Sequence, residues 1–217
     1  MKVTDKTKNT FRLKITMLSF LAFIFILQIF ILANKELVKN IDTLINVAIY
    51  SIRNSTLNDI FIGITQIGEW YSVALLLVII SALFWIFKKR SYILPFAIAV
   101  ISSGIIGYVS KFIIDRERPD QQFALVIEKT DAFPSLHSAT VSAILGFLIY
   151  FVWKENDNKN SELVFTILSI LLILLVGFSR LYLGVHYLSD VIVGYLVGVF
   201  CVLVGILIFQ ARKNHSE

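Results

Sequence analysis

Long apolar stretches recur along this chain, and they restrict its fold to one that can sit in a lipid bilayer. Hydrophobic residues make up 57% of the 217 residues and the mean hydropathy is +0.80, whereas an ordinary soluble domain has about 45–50% apolar residues. A helix needs about 20 mainly apolar residues to cross the hydrocarbon core, and about six stretches approach that length. They are Leu13–Asn34, Trp70–Phe87, Tyr92–Ile114, Ser138–Trp153, Leu163–Phe178 and Tyr187–Gln210. The sequence therefore predicts an all-α, polytopic bundle of transmembrane helices.

The segment between the first two stretches has a different pattern. Over Lys35–Glu69, apolar residues such as Leu37, Ile41 and Leu44 recur at three- and four-residue spacing, which is typical of an amphipathic helix at the membrane interface. No linker rich in proline, glycine or serine divides the chain. We therefore expect a single membrane domain over residues 1–217.

The distribution of lysines and arginines predicts how the spans are oriented. With six spans, 12 of the 20 basic residues lie on the side of the two termini and 8 on the other side. Excess positive charge marks the cytoplasmic side, so both termini should be cytoplasmic. We interpret Leu13–Asn34 as a retained anchor, because its apolar run exceeds the 7–15 residues of a signal-peptide core. This topology and anionic headgroups account for the net charge of +5, so no nucleic-acid partner is expected.

Three short segments place charged and polar residues at span ends on the side away from the termini. They are Lys111-x6-Arg118-Pro119, Pro134-Ser135-Leu136-His137-Ser138 and Ser179-Arg180-x5-His186-x3-Asp190. In the first segment, Pro119 ends any helix, so Lys111 and Arg118 can point into one pocket at the membrane edge. Taken alone, such cations more often just extend their charges to the membrane surface.

The second segment begins the fourth span. Pro134 suits a first helical turn and Ser135 can cap the helix, so the free N–H groups near Leu136, His137 and Ser138 form a natural anion site. By itself, this pattern is more often a helix start than an active site.

The third segment is the most specific. His186 and Asp190 are four residues apart on one helical face, so the carboxylate can accept from one ring nitrogen and leave the other with a free lone pair. Arg180 precedes them across a turn at Gly184. Ionisable residues near a membrane helix are seldom present without a function.

Together the three segments suit a phosphate ester. Phosphoryl transfer needs neutralised oxygen charges, an in-line nucleophile and a proton for the leaving group, and three cations with two histidines supply these without a metal. The same loop carries Asp115, Glu117, Asp120 and Asp131, but their irregular spacing is more typical of a solvated loop than of a metal site. We therefore expect no metal and no other cofactor.

On these motifs, the chain resembles the type 2 phosphatidic acid phosphatase family, the integral-membrane lipid phosphate phosphatases. The motifs cover residues 111–190, and the six-span plan matches the family over nearly the full length. The resemblance implies a set of phosphate-binding residues, namely Lys111, Arg118, Ser135, Leu136 through its N–H group, and Arg180. The family usually has glycine where this chain has Leu136, so we expect an altered rate or specificity before inactivity.

The resemblance also implies the catalytic roles. His186 would be the nucleophile that forms a phosphohistidine, and Asp190 would orient it. His137 would protonate the leaving lipid alkoxide and then activate the water that releases phosphate.

The expected function is hydrolysis of a lipid phosphate monoester or diphosphate at the extracytoplasmic face of the cell membrane. An isoprenoid (undecaprenyl) diphosphate, phosphatidylglycerol phosphate and phosphatidate all remain open, because the motifs bind phosphate and do not contact the lipid tail. The alternative is a non-catalytic lipid-phosphate binder or carrier on the same fold, for which the cations would suffice. The oligomeric state also stays open.

Overall fold

The computed structural model describes residue 20 and residues 34–216, and every regular element in these ranges is helical. The seven α-helices of this part are α1 (Lys35–Ser51), α2 (Ser55–Thr65), α3 (Trp70–Ile86), α4 (Ile93–Ile114), α5 (Leu136–Glu155), α6 (Lys159–Tyr182) and α7 (Leu188–Ser216). Short 3₁₀ turns precede α3 and α4, at Gln66–Gly68 and Arg90–Tyr92, and a third lies in the loop between α4 and α5, at Gln121–Phe123. The predicted all-α class is confirmed.

Four helices of the described chain are long and apolar enough to cross a membrane. These spans are Arg90–Ile114, Leu136–Glu155, Lys159–Tyr182 and Leu188–Lys213. A fifth span results if Ser55–Gly68 and Trp70–Ile86, which meet at a bend of 53°, cross the membrane together. The predicted anchor Leu13–Asn34 lies outside the described residues except at positions 20 and 34. The protein is a multi-pass membrane protein, and the count of six spans stays a prediction.

The segment Lys35–Glu69 forms two helices where one amphipathic helix was expected. Asn54 separates them, because its side chain accepts a hydrogen bond from the N–H of Leu57 at 3.0 Å and caps α2. The amphipathic pattern itself is confirmed in α1: Leu44 is 73% exposed on the apolar face, whereas Asp42 is buried on the opposite face. The buried residues of α1 are thus two polar ones, Asp42 and Asn46, and Ile49.

Helix α5 packs against α4, α6 and α7. Two glycines of α7 allow its close approach to α5. A Cβ atom on Gly194 would lie 2.6 Å from the carbonyl oxygen of Ser135, and one on Gly198 would lie 2.5 Å from that of Ala139. The backbone N–H of Ser135 also donates to the carbonyl oxygen of Asp190 at 3.0 Å. This contact holds the second and third motifs together.

The two ends of the bundle carry different residues. At one end, Lys89, in the turn before α4, forms an ion pair with Glu155 at the end of α5, and the hydroxyl of Tyr92 donates to the same carboxylate. The three motifs lie at the other end, where α4 finishes and where α5 and α7 begin. The fold thus gathers all three motifs at one end of the membrane-spanning bundle.

Candidate active site

The end of α4 turns the first motif back toward α5. Asp115 caps α4 in a left-handed conformation (φ 42°), and its N–H donates to the carbonyl oxygen of Lys111 at 3.1 Å. After the loop, the N–H of Ala132 donates to the carbonyl oxygen of Arg116 at 2.8 Å. This pairing brings the residues after α4 beside the residues that enter α5.

Protein oxygens hold the two predicted cations of this motif. Lys111 is buried, and its Nζ donates to the carbonyl oxygen of Asp131. The Nε of Arg118 donates to the carbonyl oxygen of Thr130 and its Nη1 to that of Val185, each at 2.6 Å. Burial lowers the pKa of Arg118, but a guanidinium remains charged in proteins. Both cations are therefore held in place before substrate binds.

Arg180 comes from the end of α6 and is fully buried. Its Nη1 donates to Oγ1 of Thr65 at 2.5 Å, and its Nη2 donates to a carboxylate oxygen of Glu128. After α6, Gly184 turns the chain with a φ of 76°, a conformation suited to glycine. A Cβ atom on Gly184 would also lie 2.7 Å from the carbonyl oxygen of Phe123. The turn delivers His186 to the site.

His186 is 2% exposed and lies between a carboxylate and a cation. Its Nδ1 is 3.5 Å from Oδ2 of Asp190, a separation at which the two groups face each other without a formed hydrogen bond. Its Nε2 is 3.4 Å from Nη1 of Arg118. Burial, and after it the charge of Arg180, lower the pKa of His186 well below the usual value. The imidazole is therefore neutral at pH 7, with Nε2 toward the cations.

His137, in the first turn of α5, is packed closely against the bend between α2 and α3. A Cβ atom on Gly68 would lie 2.5 Å from Cδ2 of the His137 ring. The ring Nε2 is 3.3 Å from Oε1 of Glu69. Because an ionised carboxylate only accepts hydrogen bonds, we assign a proton to Nε2 on the side that faces Glu69.

Ser135 and Leu136 begin α5. Ser135 caps the helix as predicted: its hydroxyl oxygen accepts from the N–H of Ser138 at 3.4 Å and from the hydroxyl of Ser138 at 3.0 Å. The side chain of Leu136 occupies space that a glycine in α4 leaves free, since a Cβ atom on Gly107 would lie 2.7 Å from Cδ2 of Leu136. The bulk expected to disturb phosphate binding is therefore accommodated against α4.

A carboxylate that the sequence did not single out lies among the predicted phosphate-binding groups. Glu128 pairs with Nη2 of Arg180 through one oxygen, and its other oxygen is 3.7 Å from Nη2 of Arg118. A cavity of about 410 Å³, lined by Arg118 and Glu128 among others, opens beside this pair. A phosphate that binds both arginines has to displace Glu128.

Three further residues of the site were also missed: Asp42, Arg116 and Glu69. Arg116 donates from Nη1 to Asp190 and from Nη2 to Asp42. The sequence carried a weak signal for Asp42 and Asn46, two polar residues one turn apart, opposite the apolar face of α1. Nothing in the local sequence around Glu69 distinguishes it from an ordinary interfacial residue.

One group of side chains in the described part of the chain could hold a metal ion: Glu69, Glu128 and His137, whose ligand atoms lie within 4.8 Å of one another. The acidic loop residues considered from the sequence do not form such a group. Glu128 is already neutralised by Arg180, whose charge also opposes a cation at this point. A metal ion at this point would therefore have to compete with Arg180 for Glu128.

This arrangement predicts that hydrolysis of a lipid phosphate survives chelation and is inhibited by vanadate. The reason is that three fixed cations can neutralise the phosphate oxygens without a metal, and that vanadate carries the charge and the oxygen geometry of the transferring phosphoryl group. The measurement is phosphate release after dialysis against EDTA, with a vanadate titration of the same preparation. Activity that is lost in EDTA and restored by Mg²⁺ or Ca²⁺ would contradict the prediction.

Known proteins match the chain over most of its length. The model of the PAP2 superfamily matches residues 92–214. Phosphatidylglycerophosphatase B of Bacillus subtilis (strain 168) is 33% identical over 198 residues, which cover 90% of this chain and 93% of that protein. Undecaprenyl-diphosphatase of Sulfolobus acidocaldarius is 30% identical over 165 residues, which cover 70% of this chain and 73% of that protein.

A solved structure also matches. The crystal structure of the first transmembrane PAP2 type phosphatidylglycerolphosphate phosphatase from Bacillus subtilis superposes with a TM-score of 0.80 and 30% identity, and covers 91% of this chain and 96% of that one. A helical membrane bundle with this set of cations and histidines is a membrane phosphatase. The chain belongs to the PAP2 superfamily, so the family resemblance and the enzyme class predicted from the motifs are confirmed.

Proposed function

We propose that this protein removes a phosphate group from a membrane lipid by metal-independent transfer of the phosphoryl group to His186. The observation that carries the proposal is the position of His186 between Asp190 on its Nδ1 side and Arg118 on its Nε2 side. A neutral imidazole that presents one free lone pair toward fixed cations is suited to attack a phosphate bound by those cations.

In the first step, Lys111, Arg118 and Arg180 hold the phosphate oxygens while Nε2 of His186 attacks phosphorus. The bond from phosphorus to the ester oxygen breaks, and His137, which enters this step as an imidazolium beside the carboxylate of Glu69, gives one proton to the departing lipid alkoxide and becomes neutral. The imidazole becomes positively charged as the P–N bond forms, and Asp190 stabilises that charge. The product of this step is a phosphohistidine and a free lipid alcohol, or a lipid monophosphate if the substrate is a diphosphate.

In the second step, His137 takes a proton from a water molecule. The resulting hydroxide attacks phosphorus, the P–N bond breaks, and inorganic phosphate leaves with Glu128 returning to the arginines. His186 is again neutral, and the cycle consumes one water molecule for each ester bond broken.

For the lipid, we propose phosphatidylglycerol phosphate or undecaprenyl diphosphate. The Bacillus subtilis relative is named for the first substrate and the Sulfolobus acidocaldarius relative for the second. The Bacillus subtilis relative matches more of this chain, at slightly higher identity, and this favours phosphatidylglycerol phosphate as the substrate. Phosphatidate is the third candidate, since the phosphate-binding groups do not contact the lipid tail.

The direct test is to assay the purified protein in detergent or lipid vesicles against these three lipids. We expect phosphate release from at least one of them, with the highest kcat/KM for phosphatidylglycerol phosphate or undecaprenyl diphosphate. A preparation of the His186→Ala variant serves as the matched control for contaminating phosphatase. Binding of lipid phosphate without hydrolysis of any substrate would favour the non-catalytic carrier.

We also propose that the active site opens on the extracytoplasmic face, with both termini in the cytoplasm, because of the 12-to-8 distribution of basic residues. Two exposed lysines lie at opposite ends of the bundle: Lys129 beside the site and Lys154 near the end of α5. Single cysteines at these positions, in a Cys201→Ala background, can be probed in intact cells with a membrane-impermeant thiol reagent. Labelling at 129 alone is the expected result, and labelling at 154 alone would reverse the orientation.

A further inference from the structure

We infer that Asp42 of helix α1, acting through Arg116, is a positioning residue for Asp190 and His186. The inference rests on the proposed roles of those two residues and adds a part of the chain far from the three motifs. Helix α1 would then be a functional part of the active site as well as an amphipathic element at its edge.

The contacts form one continuous row. Nη1 of Arg116 donates to Oδ1 of Asp190 at 2.6 Å, and Nη2 donates to Oδ2 of Asp42 at 2.7 Å. Oδ2 of Asp190 accepts from the N–H of Tyr187 at 2.8 Å and faces Nδ1 of His186 at 3.5 Å. Both oxygens of Asp190 are therefore fixed, one of them by the arginine that Asp42 holds.

Ser189 ties the row to helix α7. Its N–H donates to Oδ1 of Asp42 at 3.0 Å and its hydroxyl to Oδ2 of Asp42 at 2.6 Å. Nη1 of Arg116 also donates to the same hydroxyl oxygen at 2.6 Å. The ring of Tyr187 covers the guanidinium, with the ring centroid 4.4 Å from Cζ. The Asp42 carboxylate thus has partners on both oxygens, and α1 is fixed against the residue next to the catalytic Asp190.

Burial shows that this arrangement has an energetic cost that a simple helix anchor would avoid. Asp42 is 1% exposed and Asp190 is fully buried, and removing each ion of a buried pair from water is unfavourable. Leucine or alanine at position 42 would attach α1 without that cost. Asp42 and Asp190 share the guanidinium of Arg116, so the three groups together carry one net negative charge. That charge lies beside His186, which gains positive charge during phosphoryl transfer.

Arg116 also differs from the neighbouring cations in what it can bind. Both of its terminal nitrogens are occupied by Asp42, Asp190 and Ser189, whereas Arg118 and Arg180 share Glu128, which phosphate can displace. Although Arg116 lies within the first motif, it is therefore assigned to positioning and not to phosphate binding.

The test compares Asp42→Asn, Arg116→Lys and the exposed control Asp59→Asn in the full-length protein. The asparagine keeps the shape of Asp42 but loses its charge, and lysine cannot bridge two carboxylates as a guanidinium does. For Asp42→Asn and for Arg116→Lys, we expect kcat to fall about tenfold or more while KM changes little. A loss of this size is within the range for residues of one hydrogen-bonded network. The thermal unfolding midpoint of each variant is measured to confirm that it is folded.

A second comparison separates positioning from a general loss of structure. If Asp42 acts through Asp190, then Asp42→Asn should lower kcat much less in an Asp190→Asn background than in the unmodified protein. The inference would be overturned if the effects of Asp42→Asn and Asp190→Asn on kcat were fully additive. It would also be overturned if kcat were unchanged in both Asp42→Asn and Arg116→Lys, whether or not KM rose. Failure of the unmodified protein to hydrolyse any lipid phosphate would instead overturn the proposed function.

Discussion

Replacing His186 with alanine is expected to abolish turnover while binding of lipid phosphate persists. The substitution removes the attacking nitrogen, so no covalent step remains, whereas Lys111, Arg118 and Arg180 keep their own protein contacts. The measurements are steady-state phosphate release and the binding of a non-hydrolysed phosphonate analogue of the substrate. We expect activity at the background of the assay and an affinity close to that of the unmodified protein.

The chain offers a matched control, because its third histidine, His215, lies near the C-terminus at the other end of α7. His215→Ala should keep full activity. Near-normal turnover in His186→Ala would exclude His186 as the nucleophile, and loss of both turnover and binding would indicate a collapsed site.

Replacing His137 with alanine is expected to slow hydrolysis of alkyl phosphates far more than that of activated aryl phosphates. A poor leaving group needs the proton that His137 supplies, and general acid catalysis is worth about 10²–10⁴-fold. An aryl oxide whose parent phenol has a low pKa can leave without a proton from His137. The measurement is kcat for a lipid phosphate and for a nitrophenyl phosphate on the same preparation.

Packing gives a second reason to compare two substrates. The ring of His137 fills the space over Gly68, so its removal also leaves a cavity that lowers stability whatever the substrate. Equal losses on both phosphates would attribute the effect to this packing and would contradict the role of His137 as an acid. A loss confined to the alkyl phosphate supports that role.

The sequence was a reliable guide wherever a local signal fixed a helix end. The capping residue Ser135 begins α5 where it was expected, and Gly184 turns the chain back toward His186, whereas α4 ends at Ile114, before the helix stop that was predicted at Pro119. These signals act over a few residues, so they can be recognised without knowledge of the packing. The gathering of the three cations, two histidines and one carboxylate of the motifs followed in part from them.

Long-range partners could not be predicted in the same way. Glu128 meets Arg180 across 52 residues, and Asp42 meets Ser189 across 147 residues. Nothing in the sequence near Asp42 indicates which distant cation it contacts, because that depends on how α1 packs on the bundle. The site was therefore predicted without the carboxylates that hold its cations in the absence of substrate.

Span boundaries show the limit of hydropathy alone. The apolar windows Ser138–Trp153 and Leu163–Phe178 are shorter than the helices that contain them, which extend over Leu136–Glu155 and Lys159–Tyr182. Backbone hydrogen bonding continues through polar residues such as Arg180, which is buried in the site and not exposed to lipid. Both helices begin at a side-chain cap, Ser135 or Asn158, and not at the edge of the apolar window.

The most direct test of the central claim is to trap the phosphoenzyme. The purified protein is mixed with a lipid substrate labelled in its terminal phosphate, quenched in base within the first turnover, and digested to locate the label. We predict base-stable, acid-labile phosphate on the peptide that contains His186. The label should be absent from His186→Ala. It should be enriched in His137→Ala with an activated substrate, because release of phosphate from that variant is slowed. A fully active preparation in which no phosphate is trapped, or in which the label survives in His186→Ala, would contradict the mechanism.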